Sequence, residues 1–124
     1  MFANATMTPL IGTLRPDAAK AFYGETLGLR FETDDGFALV FAAKNARVRI
    51  SRVPAMAPAA YAVLAFNTDN IEQAVDGLVA KGVTMARYPI FAQDARGVWT
   101  APDGTKVAWF HDPDMNLLSV VQYA

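Results

Sequence analysis

The pattern of apolar and polar positions predicts one order of secondary structure that occurs twice along the chain. In each half an apolar segment precedes a helix, and further strands follow it. An Ala- and Pro-rich connector at 54–60 separates modules at about 1–53 and 61–124 of a single α+β domain. The elements predicted for the first module are a strand at 7–14, a helix at 16–27 and strands at 29–34, 37–42 and 47–53. Those predicted for the second are a strand at 61–66, a helix at 69–81 and strands at 83–86, 98–101, 105–110 and 117–123.

The apolar periodicity is clearer in the second predicted helix than in the first. In the second, Asp69 is the expected N-cap, and Glu72 would complete a capping box. Glycines at the predicted helix ends, Gly28 and Gly82, lie about half a chain apart and support a structural duplication. The apolar positions of the first helix are Ala18, Ala21 and Phe22, and those of the second are Ile71, Ala74, Val75 and Leu78.

Composition narrows the class of protein. Hydrophobic residues make up 53% and charged residues 19% of the 124 positions, so surface is expected to remain for a partner subunit or an apolar cavity. A net charge of −1 without a basic block predicts no nucleic-acid partner. The absence of cysteine excludes disulfides and thiolate chemistry. No apolar run has the length of a membrane span, and 1–14 lacks the charge of a signal peptide, so a cytoplasmic protein without membrane association is expected.

Two pairs of short motifs carry a resemblance to a known family. Ala-Phe-Tyr at 21–23 precedes Leu-Gly-Leu at 27–29, and the segment 78–83 precedes Asp-Pro-Asp-Met-Asn at 112–116. Together they resemble the glyoxalase/bleomycin resistance/dioxygenase superfamily, also called the vicinal oxygen chelate superfamily. The resemblance implies two tandem βαβββ modules with curved mixed sheets around a cavity and helices outside. Met115 stands where the family usually has glycine, which predicts a turn of different shape.

The resemblance also identifies where metal-dependent members of the family hold their ion. Those ligands lie on the first and last strand of each module, and the matching positions here are Thr8, Val63, Ser119 and either Arg49 or Ser51. Divalent ions in such sites require imidazole or carboxylate ligands. We therefore predict no metal site and no cofactor.

Aromatic residues offer an alternative means of binding a ligand. The resemblance places Phe110 in the core, so strand alternation turns Trp109 to the opposite face. Trp109 and Trp99 would then provide stacking surface for a flat ligand, although they could equally be packing in the cavity or in a dimer interface. Tyr61, Phe37 and Phe41 extend this argument with less weight. The candidate ligand-binding residues are Trp109, Trp99, Arg49, Tyr61, Thr8, Ser119 and Phe41.

Charged residues, the single histidine and one long loop are the remaining features of the sequence that bear on function. Arg49 is expected to face the cavity and to bind an anionic group of a ligand, or else to pair with Glu32 or Asp34. His111, the only histidine, is expected to be a solvent-facing turn residue. The loop at 87–97 could cover the cavity or contact a second subunit, with Phe91 and Arg96 as its residues to test.

Three functions remain open from the sequence. The first is a metal-independent small-molecule binding protein, similar to bleomycin-resistance proteins, that would sequester a drug and confer antibiotic resistance. Its ligand would be planar or partly anionic, and the protein would be a homodimer. The second is a glyoxalase-like lyase or isomerase, or a dioxygenase-related enzyme, with an atypical metal site. The third is a structural or regulatory domain whose cavity is filled by its own side chains.

Overall fold

The computed structural model describes all 124 residues, and they form two compact units. The first unit comprises Met1–Ala57 and the second Pro58–Ala124. The boundary between them lies inside the predicted connector at 54–60. Each unit consists of one four-stranded mixed sheet and one α-helix, and the order of elements is βαβββ in both. The predicted α+β architecture of two modules is therefore confirmed.

The first sheet is mixed because the first and last strands of the unit are parallel neighbours, whereas the other pairs are antiparallel. The elements are β1 (Leu10–Thr13), α1 (Pro16–Ala21), β2 (Arg30–Asp34), β3 (Ala38–Ala42) and β4 (Arg47–Arg52). The strand order is β1-β4-β3-β2, in which β1 is parallel to β4 and the other neighbours are antiparallel. A π-helical turn at Phe22–Thr26 continues the first helix, so the predicted helix at 16–27 changes type within its length.

The helix of the first unit packs on the sheet through a different face from the one predicted. Ala19 and Tyr23 are fully buried, whereas the predicted face of Ala18, Ala21 and Phe22 is at least partly exposed. The Tyr23 ring lies 6.0 Å from that of Phe41 on β3. Burial of the aromatic side chain at 23 sets the orientation of the helix, because it removes the largest apolar surface from water.

The hairpin between β2 and β3 brings three acidic side chains beside arginines of β4. Asp34 accepts two hydrogen bonds from the Arg52 guanidinium at 2.7 Å, and one from the Gly36 amide at 2.9 Å. These contacts lower the pKa of Asp34 from 3.8 to about 2. The Arg52 hydrogen bond makes the largest contribution, and the Gly36 amide makes the next largest. Glu32 pairs with Arg47, and Asp35 with Arg49.

These contacts predict the acid response of Asp34. A carboxyl whose pKa is lower in the folded protein stabilises the fold above its unfolded pKa, and this contribution disappears as the pH falls through the folded pKa. For Asp34 the loss should therefore occur between pH 3.8 and about pH 2. In a carboxyl-carbon NMR titration, Arg52→Gln should raise the Asp34 midpoint toward 3.8, whereas Arg47→Gln should leave it in place. An Asp34 midpoint that Arg52→Gln does not move would disprove the assignment.

The second sheet repeats the arrangement of the first. The elements of the second unit are β5 (Leu64–Asn67), α2 (Ile71–Ala80), β6 (Trp99–Thr100), β7 (Lys106–His111) and β8 (Leu117–Gln122). The strand order is β5-β8-β7-β6, with β5 parallel to β8 and the other neighbours antiparallel. Neither helix of the protein is long and apolar enough to cross a membrane.

Two details of the second unit correct the sequence predictions. The segment 83–86 is not a strand, although the Ala86 amide donates a 2.8 Å hydrogen bond to the Trp109 carbonyl of β7. The N-cap of α2 is Asn70 rather than Asp69, because its side chain accepts a 3.1 Å hydrogen bond from the Gln73 amide. The capping box predicted with Glu72 is therefore not formed at this position.

One face of the second sheet packs against α2. The Ile71 amide at the start of α2 donates a 2.8 Å hydrogen bond to Gln122 Oε1 on β8. Leu118 lies on the same face as Gln122, and its cross-strand partner is Phe110, also fully buried. Trp109 therefore faces away from α2, as alternation predicted.

The Asp-Pro-Asp-Met-Asn turn contains a non-glycine residue, Met115, in the left-handed conformation. Met115 has a φ of 67°, the only positive φ at a non-glycine residue. The Asp112 amide donates to the Asn116 carbonyl at 3.0 Å, so the turn closes between β7 and β8. The methionine therefore occupies the left-handed conformation that favours glycine rather than avoiding it.

Replacement of Met115 by glycine should raise the free energy of unfolding by about 0.5–1 kcal/mol. Relief of the left-handed conformation contributes roughly 1–2 kcal/mol, and the greater freedom of glycine in the unfolded chain offsets part of it. The side chain is 57% exposed, so little packing is lost. Chemical denaturation measures the change. Met7→Gly, at another exposed methionine, is the control. A loss of stability in Met115→Gly would contradict this account.

Candidate functional site

The face of the second sheet that points away from α2 carries both tryptophans. Trp109 is the cross-strand partner of Ser119, which in turn pairs with Ala65 on β5. Trp99 on β6 pairs with Val107, two residues before Trp109 on β7, so the two indoles are diagonal neighbours on one face. Their ring centroids are 6.3 Å apart and their planes differ by 28°.

Two side chains of the 87–97 loop complete an aromatic cluster with these tryptophans. The Phe91 ring is nearly parallel to the Trp109 indole, at 5.1 Å and 17°, and lies 4.9 Å from Trp99. Tyr88 meets Trp109 edge to face, at 5.6 Å and 90°. The stacking surface predicted for a ligand is thus partly covered by the protein's own phenylalanine.

The loop is held in this position by hydrogen bonds to Gln93. The side-chain nitrogen of Gln93, Nε2, donates to the carbonyl oxygens of Ala86 and Gly97, at 3.0 and 2.8 Å. Its side-chain oxygen accepts from the Tyr88 amide at 2.7 Å. Both ends of the loop are therefore fixed through one side chain, which defines where Phe91 lies.

Arg96 fastens the end of the loop to α2. Its guanidinium donates to both carboxylate oxygens of Asp76, at 2.9 and 3.1 Å, and lies 4.0 Å from Glu72. The hydrogen bond from Arg96 lowers the pKa of Asp76. Arg96 thus has a carboxylate partner within its own unit, whereas Phe91, the other loop residue predicted from the sequence, contacts both tryptophans.

The other second-unit residues of interest lie at different distances from the cluster. Ser119 is buried beside Trp109, and its hydroxyl is 3.5 Å from the Leu64 carbonyl oxygen. Tyr61 precedes β5 and is 70% exposed, outside the aromatic cluster. His111 is the last residue of β7 rather than a turn residue, is half-buried, and alternates onto the face of Trp109.

The candidates in the first unit do not share one surface. Arg49 pairs with Asp35 at 2.9 Å, rather than with the Glu32 or Asp34 considered from the sequence. Phe41 is fully buried on the helix-facing side of the sheet, whereas the residue opposite Arg49 on β3 is Val40. Thr8 is exposed and lies before β1. The sheet therefore places Arg49 and Phe41 on opposite faces.

The residues at the family's metal positions do not fit a divalent ion. No group of three or more His, Cys, Asp or Glu side chains is placed to hold a metal. Ser119 offers a neutral hydroxyl and Val63 no donor, and the Arg49 guanidinium would repel a cation. This donor set does not support a step through a metal at these positions.

Tyr88 and His111 also belong to the candidate face, although neither was among the ligand-binding residues predicted from the sequence. Both lie close to Trp109, Tyr88 by its ring contact and His111 by its position on the same strand face. Strand alternation from Trp109 could have placed His111 on this face. The contact of Tyr88 depends on the path of the loop, for which the sequence carries no periodic signal.

Comparison with sequence families identifies the class of protein. The profile of the Glyoxalase/Bleomycin resistance protein/Dioxygenase superfamily matches residues 8–120. The chain belongs to this superfamily. A comparison with curated protein sequences finds no significant match.

Solved structures with the same fold include proteins described in different functional terms. A superfamily member from Sphaerobacter thermophilus has a TM-score of 0.76 at 19% identity, covering 98% of this chain and 99% of that one. TnmS3, an antibiotic binding protein from Streptomyces, has 0.73 at 23%, covering 98% of both chains. Lactoylglutathione lyase from Agrobacterium tumefaciens has 0.73 at 16%, covering 96% and 93%. At these identities the similarity establishes the fold.

Proposed function

We propose that this protein binds a small planar molecule, without a metal ion, on the face of the second sheet that carries Trp99 and Trp109. The observation that carries the proposal is the stacked arrangement of these indoles with Phe91. A flat aromatic ring already lies parallel to Trp109 at 5.1 Å, which is a favourable geometry for stacking. A planar ligand would gain the same interaction.

The loop residue Phe91 determines how such a ligand would enter. Because Phe91 covers both indoles, a ligand either inserts beside it or replaces it when the 87–97 loop moves away. Replacement of one stacked ring by another exchanges similar contacts, so the net cost is mainly that of releasing the Gln93 hydrogen bonds. The buried Ser119 hydroxyl beside Trp109 would contribute polar specificity once the face is open.

The antibiotic-binding neighbour supports binding as the function, because the same fold serves that purpose in TnmS3. Drug sequestration and antibiotic resistance are part of this proposal, and a cytoplasmic location is consistent with it.

We also propose a homodimer, because β1 and β5 are edge strands with one paired neighbour each and Leu10 on β1 is 69% exposed.

Thermal-shift measurements on chelator-stripped protein test this proposal. The panel contains planar polycyclic antibiotics and aromatic carboxylates on one side, and nickel, zinc, manganese and iron ions on the other. Native-state binding raises the melting temperature with ligand concentration. We expect a concentration-dependent rise with at least one planar compound and none with the metal ions.

Two results would count against the proposal. A rise with a divalent ion, together with turnover that a chelator abolishes, would favour a glyoxalase-like or dioxygenase-related enzyme. Absence of any response would favour a domain whose tryptophan face is filled permanently by Phe91.

A further inference from the structure

A pocket in the first unit is lined by cationic and polar side chains. It has a volume of about 250 Å³ and lies between the segment before β1 and the turn that joins β3 to β4. It belongs entirely to the first unit and contains none of the aromatic residues discussed above. Its charged and polar lining consists of Thr6, Thr8, Arg30, Lys44, Asn45 and Arg47.

The sheet register explains why two arginines meet here. Arg30 on β2 and Arg47 on β4 are both cross-strand partners of Ala42, the last residue of β3. Cross-strand partners share a face, so two long cationic side chains flank one small side chain, and space remains above the alanine. The turn carrying Lys44, closed by a 3.0 Å hydrogen bond from the Ala43 amide to the Ala46 carbonyl, forms another wall.

The pocket holds more positive charge than its neighbours neutralise. Arg47 is paired with Glu32, whereas Arg30 and Lys44 take part in none of the five salt-bridge contacts of the structure. The pKa of Glu32 is lowered mainly by the Arg47 hydrogen bond and to a smaller extent by the charge of Arg30, which places Arg30 near this ion pair. Three cationic side chains, Arg30, Lys44 and Arg47, thus share the single carboxylate of Glu32 in a concave site.

We propose that this pocket binds the phosphate group of a small phosphorylated molecule. A phosphate monoester carries nearly two negative charges and presents three acceptor oxygens. These match the excess of two positive charges and the hydroxyl and amide donors of Thr8 and Asn45. A carboxylate presents one charge and two oxygens, and would leave one cation unmatched. The volume of 250 Å³ equals roughly eight water molecules, enough for a phosphate group with a small organic remainder.

Amide NMR titration with inorganic phosphate tests this site directly. We expect saturable shifts at Thr8, Asn45 and Arg47. Arg30→Gln and Lys44→Gln should each weaken phosphate binding about 3- to 10-fold, as expected for loss of one partly exposed charge contact. Lys81→Gln is the matched control, because Lys81 is an exposed lysine at the end of α2, outside the pocket, and its replacement should leave the affinity unchanged.

Several outcomes would overturn the phosphate assignment. These are an absence of saturable shifts with phosphate, acetate binding as tightly as phosphate, or a loss in Lys81→Gln as large as in Arg30→Gln. The titration monitors amides of the first unit only. Its result is therefore independent of whether a planar ligand binds the tryptophans.

Discussion

Replacement of Asp112 by alanine is expected to lower the free energy of unfolding by about 2–4 kcal/mol. Asp112 is 3% exposed, and its carboxylate accepts hydrogen bonds from the Asp114 and Asn116 amides at 2.9 Å. It also accepts from the Asn116 side-chain nitrogen at 2.8 Å. Because Asn116 is itself buried, alanine at 112 would leave its donors without these partners.

Chemical denaturation of Asp112→Ala measures this loss, and Asp103→Ala is the matched control. Asp103 also accepts a backbone hydrogen bond two residues along the chain, from Thr105 at 2.9 Å, but it is exposed to water. Its replacement should cost below about 1 kcal/mol, since water satisfies the freed amide. Equal losses in the two variants would show that burial of the Asp112 turn is not the cause.

Replacement of Trp109 by alanine should weaken binding of a planar ligand about 10- to 100-fold, because it removes the indole on which the ligand stacks. Isothermal titration calorimetry with the tightest planar compound of the panel measures the change. Phe37→Ala is the control, since Phe37 is an aromatic residue of the first unit that is 79% exposed. An affinity that Trp109→Ala leaves unchanged would show that the ligand binds elsewhere.

The loop that covers the indoles provides a second comparison for the same prediction. If the ligand replaces Phe91, Phe91→Ala should strengthen its binding, because the competing ring is gone. Ile90→Ala changes the neighbouring loop residue, which is 86% exposed, and should have no effect. A loss of affinity in Phe91→Ala would instead mean that the ligand packs against Phe91 without displacing it.

The fold could be predicted largely from periodicity. The helix pattern of Ile71, Ala74, Val75 and Leu78 corresponds to α2, and Ile71 and Val75 are its buried residues. The apolar character of 83–86 predicted a strand that is absent. The local apolar pattern could not show that this segment makes one backbone hydrogen bond to β7 instead of forming a strand, because its position depends on tertiary packing.

The partner of Arg49 could not be predicted because of one irregularity in the sheet. A bulge between Phe31 and Thr33 shifts the register of β2, so Thr33 rather than Glu32 stands opposite Val40. Without the bulge, Glu32 would lie in the same row as Arg49. A one-residue insertion of this kind leaves no mark in the alternation of a short strand, and it leaves Arg49 to pair with Asp35.

The candidate site was predicted in part. Alternation from the core residue Phe110 placed Trp109 on the correct face, and its neighbour Ser119 follows from the pairing of β7 with β8. The cover of Phe91 could not be predicted, because the loop path rests on hydrogen bonds of Gln93 to residues on both sides of it. Long-range side-chain bonds of this kind have no sequence period.

Tryptophan fluorescence titration of chelator-treated protein tests the central claim most directly. The chain has two tryptophans and both lie in the cluster, so the emission reports on the proposed site alone. The account predicts a saturable change in emission with a planar ligand, and a dissociation constant that divalent ions do not alter. Binding that appears only after a divalent ion is added would contradict it.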